Sequence, residues 1–280
     1  MFDTHCHPQF NAYKNDREAV IKRCLDKGVI CNIVGTQKDT SRAAVELAEK
    51  YDGLYATIGL HPIHITSVDV DEEETTFHSR EEIFDEKYYS DLAQSKKVIA
   101  VGECGIELFH LPPEADRAEI LANQKAQFLT QYHFAKKHDL PMVIHVRDAY
   151  EETLAILREL NEPIRATIHC YTGNWRYAAQ FLDLGLYLGF TGVITFPPKK
   201  TTPQAQFDLL EVVRKCPIDR MLIETDAPYL APQAHRGERC EPWMVEEVAK
   251  KIAELRAVTP EEIVKTTDNN ARQLFTKISA

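Results

Sequence analysis

The chain has 280 residues, 44% of them hydrophobic, and a formal net charge of −10. That length suits two ordinary domains or one α/β barrel, and the acidic balance argues against a protein that wraps duplex nucleic acid over a basic surface. Seven cysteines without a Cys-x-x-Cys pair argue against a disulfide framework or a thiolate zinc site; with no leader pattern and no apolar run near 18 residues, the expectation is a cytoplasmic protein with no membrane association.

The first apolar run, MFDTHCH (1–7), puts Asp3, His5 and His7 at alternate positions. In a strand these three side chains point to one face and could converge. A helical pattern over 16–28 follows and stops at Gly28. Next come a strand over 29–36, a helix over 40–51 opening on a capping Thr or Ser, and a strand over 54–61. The acidic stretch DVDEEETTFHSREEIFDE (69–86) reads as a long loop running into a helix, an insertion before the fourth strand at 98–107. The remaining strands are expected over 141–146, 165–170, 186–194 and 220–227. Helices are expected over 114–139, 148–160, 174–185, 202–216, 241–256 and 259–277, the last opening on a Thr-Pro capping box. Strand–helix alternation repeated eight times in under 300 residues predicts a single (β/α)8 TIM-type barrel over 1–280, with an open doubly wound sheet as the alternative.

Barrel chemistry sits at the C-terminal ends of the strands. The polar residues there are His5 and His7 on strand one, His61 and His64 after strand three, Glu103 on strand four, His145 on strand five, His169 on strand six and Asp226 on strand eight. Histidines and carboxylates without a thiolate suit Zn²⁺, Mn²⁺ or Mg²⁺. Four histidines and two carboxylates exceed the needs of one catalytic ion and suffice for two divalent ions sharing a carboxylate, which points to hydrolysis. Cys6, Cys104 and Cys170 neighbour these positions and read as small core residues. Arg147, Arg236 and Arg239 lie near the same rim, where an arginine fork can hold a phosphate or pair with a carboxylate such as Glu241.

The motifs DTHCH, GLHP, GECGIE, IHVRDA, IHCYTG, LIETDAPYL, RGERCEP and NNARQLF, in this order from residue 1 to about 275, resemble the TatD family of metal-dependent deoxyribonucleases within the amidohydrolase-like barrels. The resemblance implies phosphodiester hydrolysis on a DNA substrate, at single strands or duplex ends and from the 3′ end. It also implies His5 and His7 on one metal, Glu103 bridging, His145 and His169 on the second, and Asp226 as first-metal ligand and general base. Glu224 would support the site, and His61 and Arg147 would lie near substrate. Three departures stand out: Glu107 where the family commonly has Asp, His64 one residue further from His61 than usual, and the long acidic 69–86 insertion, which could cover the rim or narrow substrate access. The alternatives on the same barrel are a small-molecule amidohydrolase or lactonase and an aminoacyl-tRNA hydrolase. Glu103, where such amidohydrolases commonly carry a modified lysine, favours the nuclease. Nothing in the sequence calls for an obligate protein partner.

Overall fold

The computed structural model describes residues 1–65, 81–111 and 114–278. Eight parallel strands run in the order of the chain: β1 (Phe2–Cys6), β2 (Ile30–Val34), β3 (Leu54–Ile58), β4 (Val98–Glu107), β5 (Met142–Arg147), β6 (Ala166–Ile168), β7 (Tyr187–Phe190) and β8 (Met221–Ile223). Nearly all their residues are buried, because the sheet is covered outside by helices and filled inside by side chains. The helices between them are α1 (Arg17–Asp26), α2 (Lys38–Lys50), α3 (Glu86–Leu92), α4 (Arg117–Lys137), α5 (Tyr150–Glu159), α6 (Trp175–Asp183), α7 (Pro203–Lys215) and α8 (Val245–Arg256), with α9 (Pro260–Leu274) completing the outer layer. This is the (β/α)8 barrel expected from the alternation.

The barrel closes through side chains as much as through backbone. A single bridge joins Cys6 to Ala227, and the Asp226 N–H donates to the His5 carbonyl at 2.8 Å. Beneath that bridge, Asp3 accepts from the Thr225 backbone N–H at 2.9 Å and the Thr225 hydroxyl at 2.6 Å. Asp3 therefore stays one layer below the two histidines it precedes. Two residues of strand rise about 6.6 Å, and the short Asp side chain cannot span that.

Local signals account for most helix ends. Thr259 and Glu262 form the expected capping box of α9, with Pro260 in its first turn, and Asp116 caps α4 by accepting from Ala118 and Glu119 N–H. Other boundaries shift. The helix expected from 40 begins at Lys38, because Gln37 with Thr40 supplies the capping box. The helix expected from 241 opens on a 3-10 turn, Pro242–Met244, before α8. The run 186–194 is not one strand. After β7 it leaves the sheet as a 3-10 turn, Gly192–Thr195, where a β-carbon on Gly192 would lie 2.2 Å from the Leu230 carbonyl.

Most of the acidic insertion lies outside the described residues, and so does the question of whether it covers the rim. Its described end packs back on the fold: the Glu82 N–H donates to the His64 carbonyl at 2.9 Å, Phe84 is buried and Asp85 caps α3. None of the seven cysteines is disulfide-bonded. Cys6 and Cys104 are fully buried, Cys170 partly, and burial pushes the Cys6 and Cys170 thiols up to about 12. Among the described residues no helix is long and apolar enough to cross a membrane.

Candidate metal centre

His5 and His7 stand at the end of β1, Glu103 in β4 and His145 in β5. His169 and Asp226 stand just past β6 and β8. Those two strands end early, at Ile168 and Ile223, and the chain then turns inward with positive φ at Cys170 (46°) and Asp226 (62°). The turns lift both side chains onto the rim, where they meet the others.

Glu103 is the hub. Its Oε2 lies 3.2 Å from His5 Nε2 and 4.0 Å from His7 Nε2. Its Oε1 lies 2.9 Å from His145 Nδ1, 3.3 Å from His169 Nε2 and 3.5 Å from His61 Nε2. Asp226 Oδ1 completes the first side at 3.7 Å from His5 Nε2 and 3.4 Å from His7 Nε2. The donor atoms fall into three overlapping groups, His5/His7/Glu103, His5/His169/Asp226 and His61/Glu103/His145, each with its atoms within 4.8 Å of one another. All six residues that the sequence marks as ligands thus meet, and His61 stands among them rather than beyond them.

Most of the rings are held from behind. His7 Nδ1 donates to the Val34 carbonyl at 2.7 Å, an oxygen that also accepts from the Gln9 carboxamide at 2.7 Å. His169 Nδ1 lies 3.1 Å from Glu224 Oε1, and His145 Nε2 lies 3.2 Å from Glu107 Oε2. Carboxylates and carbonyls only accept, so the far nitrogens of His7 and His169 carry protons, and each Nε2 is the atom that faces the centre, able to give a lone pair to a cation once its own proton is lost. His5 and His7 aim their Nε2 atoms at each other across 3.1 Å, both buried. Converging lone pairs beside two carboxylates, with no thiolate, fit a borderline or hard divalent cation.

The electrostatics agree. Burial raises the cost of the Glu103 charge, but His169, His61 and His5 and the bond from His145 outweigh it and hold the carboxyl well below its usual range. Burial likewise opposes a charged His169, yet Glu103 and Glu224 raise its pKa well above the usual value. Asp226 is lowered against burial by the bond from His7 and the nearby histidines. Burial and neighbouring histidines lower His5 and His61 instead, so neutral rings stand beside carboxylates that stay ionised, a donor set that suits a cation.

Glu107, the departure in GECGIE, reaches His145 after all, and Gln9 is a support that the strand-end residues did not include. Glu107 shares the inward face of β4 with Glu103, four residues on, and Gln9 follows His7 by two; period-two counting finds both. Arg147 and Arg236 are not in the cluster. Arg147 lies over the Phe109 ring with Cζ 4.3 Å from its centroid, and Arg236 over Phe196 at 4.5 Å. Arg239 is committed to structure, bonded to Asp16 at 2.9 and 2.7 Å and to the Ala12 carbonyl. A cavity of about 420 Å³ beside Arg23, Glu241 and Trp243 contains none of the donor cluster.

A family model described as TatD related DNase matches residues 2–276. The chain is 37% identical over 278 residues to the metal-dependent hydrolase YabD of Bacillus subtilis, covering 98% of each chain. It is 32% identical over 286 residues to the 3′-5′ ssDNA/RNA exonuclease TatD of Cronobacter sakazakii, covering 99% of this chain and 98% of that one. The crystal structure of the TatD homologue YJJV from Escherichia coli superposes with a TM-score of 0.79 at 29% identity, covering 99% and 98% of the two chains. The match runs through every strand that carries a donor of the cluster, and the chain belongs to the TatD-related family of metal-dependent hydrolases.

Proposed function

We propose that this protein is a two-metal phosphodiesterase that removes nucleotides from the 3′ end of single-stranded nucleic acid or frayed duplex ends. The observation that carries the reading is the division of Glu103: one oxygen faces His5 and His7, the other His145, His169 and His61. A carboxylate shared in this way suits a pair of ions roughly 3.5–4 Å apart. The exonuclease name of the Cronobacter relative supports the substrate and polarity, and the net charge of −10 disfavours binding along a duplex.

The divalent ions, when bound, supply Lewis acidity, acidifying water and offsetting charge on the phosphodiester oxygens. The protein's own groups do the rest. His5, His7 and Asp226 form the first donor set, His145 and His169 the second, and Glu103 fixes the distance between them. Asp226, with His145 one of the two donors that are only partly buried, accepts the proton of the attacking water. Glu224 and Glu107 hold His169 and His145 in orientation, as carboxylates behind ligand histidines do.

The deciding experiment is a metal-dependent assay on end-labelled single-stranded, duplex and sealed circular DNA beside a panel of esters, lactones and amides. Stepwise release of mononucleotides from the 3′ end of linear strands is expected. Circular DNA cut as fast as linear DNA, or turnover confined to the ester and amide panel, overturns the reading.

A further inference from the structure

Two arginines on the barrel rim stand apart from the other charged residues. Arg147 follows His145 by two residues at the end of β5, and Arg236 lies in the loop after β8. Among the described residues neither guanidinium has a carboxylate or hydrogen-bond partner; each lies over a phenylalanine ring instead, with Cζ 4.3 Å from the Phe109 centroid and 4.5 Å from that of Phe196. Phe109 is 55% exposed, an unusual state for so large an apolar ring. Phe196 belongs to the segment FPPKK (196–200) after β7, whose Lys199 and Lys200 are exposed. A chain of net charge −10 thus places four cations and two rings in segments that leave the C-terminal ends of β4, β5, β7 and β8, the end of the barrel that carries its donor cluster.

The first pair is wired to the centre. The Phe109 and His110 N–H groups donate to Glu107 Oε1 at 2.7 and 3.1 Å, while Glu107 Oε2 faces His145. The carboxyl that orients His145 therefore also fixes the backbone bearing the Phe109 ring. The second pair is anchored where the loops after β7 and β8 meet, with the Gln233 N–H donating to Thr195 Oγ1 at 2.8 Å.

We infer that Phe109–Arg147 and Phe196–Arg236 are base-stacking platforms that seat two unpaired nucleobases on either side of the phosphodiester held at the donor cluster. An arginine stacked on a ring keeps its edge N–H groups for phosphate oxygens, while guanidinium and ring offer flat faces to a base. Stacking tolerates any base and needs a single strand, because paired bases hide their faces. The inference rests on the phosphodiesterase reading and names how that site grips its substrate. The shared chemistry is an unpaired nucleobase, of DNA or RNA.

The test is binding of fluorescein-labelled, nuclease-resistant phosphorothioate decamers to the metal-loaded protein, read by anisotropy. The probes are oligothymidylate, oligouridylate and an abasic decamer of equal charge. Wild-type protein should bind a base-bearing probe more tightly than the abasic one, by roughly 5- to 150-fold for each stacked base. Phe109→Ala and Phe196→Ala should each lose part of that ratio, and Phe109→Trp should keep it. A preference between the thymidylate and uridylate arms assigns the strand to DNA or RNA. Equal binding of base-bearing and abasic probes by the wild type, or a full ratio in both alanine variants, overturns the platforms. Hydrolysis of bis(4-nitrophenyl) phosphate by the wild type tests the underlying reading separately. Cleavage without base discrimination removes the platforms alone, while discrimination without cleavage removes the phosphodiesterase reading and keeps the platforms as a binding site.

Discussion

Glu224 grips His169 from behind: its Oε1 lies 3.1 Å from His169 Nδ1 and accepts the Cys170 N–H at 2.6 Å, while its Oε2 accepts the Thr4 hydroxyl at 3.0 Å. Gly189 makes room for that carboxylate, since a β-carbon there would lie 2.4 Å from Glu224 Oε2. Glu224→Gln keeps the volume but removes the charge that makes the ring a strong donor. Metal affinity should fall about 10- to 100-fold, measured by competition with a chelating dye. Unchanged affinity would reduce Glu224 to a packing residue.

Asp226 and Glu103 should separate when metal content is plotted against kcat. Asp226→Asn keeps size and one oxygen donor but cannot take a proton. It should retain most of its metal while kcat falls by roughly 10²–10⁴, the usual contribution of a general base. Glu103→Gln weakens both donor sets together, so metal and activity should be lost in parallel. Near-normal kcat in fully loaded Asp226→Asn would send the search for the base elsewhere.

Metal loading should saturate near two ions per chain. Elemental analysis of loaded, dialysed protein checks the number, and chelation followed by graded addition of Mn²⁺ or Zn²⁺ should restore activity with the second equivalent. Saturation at one ion, with full activity, would contradict a shared Glu103.

The loop after β8 should lose its tie to α1 in acid. Arg239 lowers the Asp16 carboxyl through a two-pronged bond; burial opposes, but bonds from Arg23 and Trp243 outweigh it to lower Glu241. Carboxyls depressed in the folded state contribute stability above their unfolded values near pH 4, and that contribution disappears as pH falls through the folded values. Arg239→Met should therefore cost roughly 0.5–1 kcal/mol at pH 7, a solvent-screened amount because the pair is partly exposed. The difference from wild type should shrink as pH falls through the folded-state values of Asp16 and Glu241 and vanish once both are protonated. Urea melts across that range would expose a penalty that persists in acid, which would assign it to packing on Tyr13 instead.

The strand-end donors were legible because a barrel restricts chemistry to one rim and parallel strands announce themselves as apolar runs. Strand β4 matches its expected span, 98–107, and its period-two face carries both Glu103 and Glu107. Less legible were β6 and β8, whose runs continue past the ladder. His169 and Asp226 reach the centre only because the backbone turns to positive φ at Cys170 and Asp226, and alternation carries no sign of such a turn. Asp3, which alternation alone would place with His5 and His7, stays out of the centre for a related reason: sharing a face is not sharing a layer, and its partner Thr225 is distant in sequence. The stacking of Arg147 on Phe109 was equally hidden, since 38 residues separate them and only the β4–β5 register brings them together.

The seam between β1 and β8 also sets an order of events in synthesis. The Asp3–Thr225 bond joins residues 222 positions apart. At about 5–20 residues per second, a ribosome needs roughly 10–45 s to travel between them. During that interval His5 and His7 are already outside while Asp226, and the strand that seats it, do not yet exist. The donor cluster is therefore complete only in a nearly finished chain, and a transcript broken before codon 226 yields a polypeptide with both leading histidines and without Asp226.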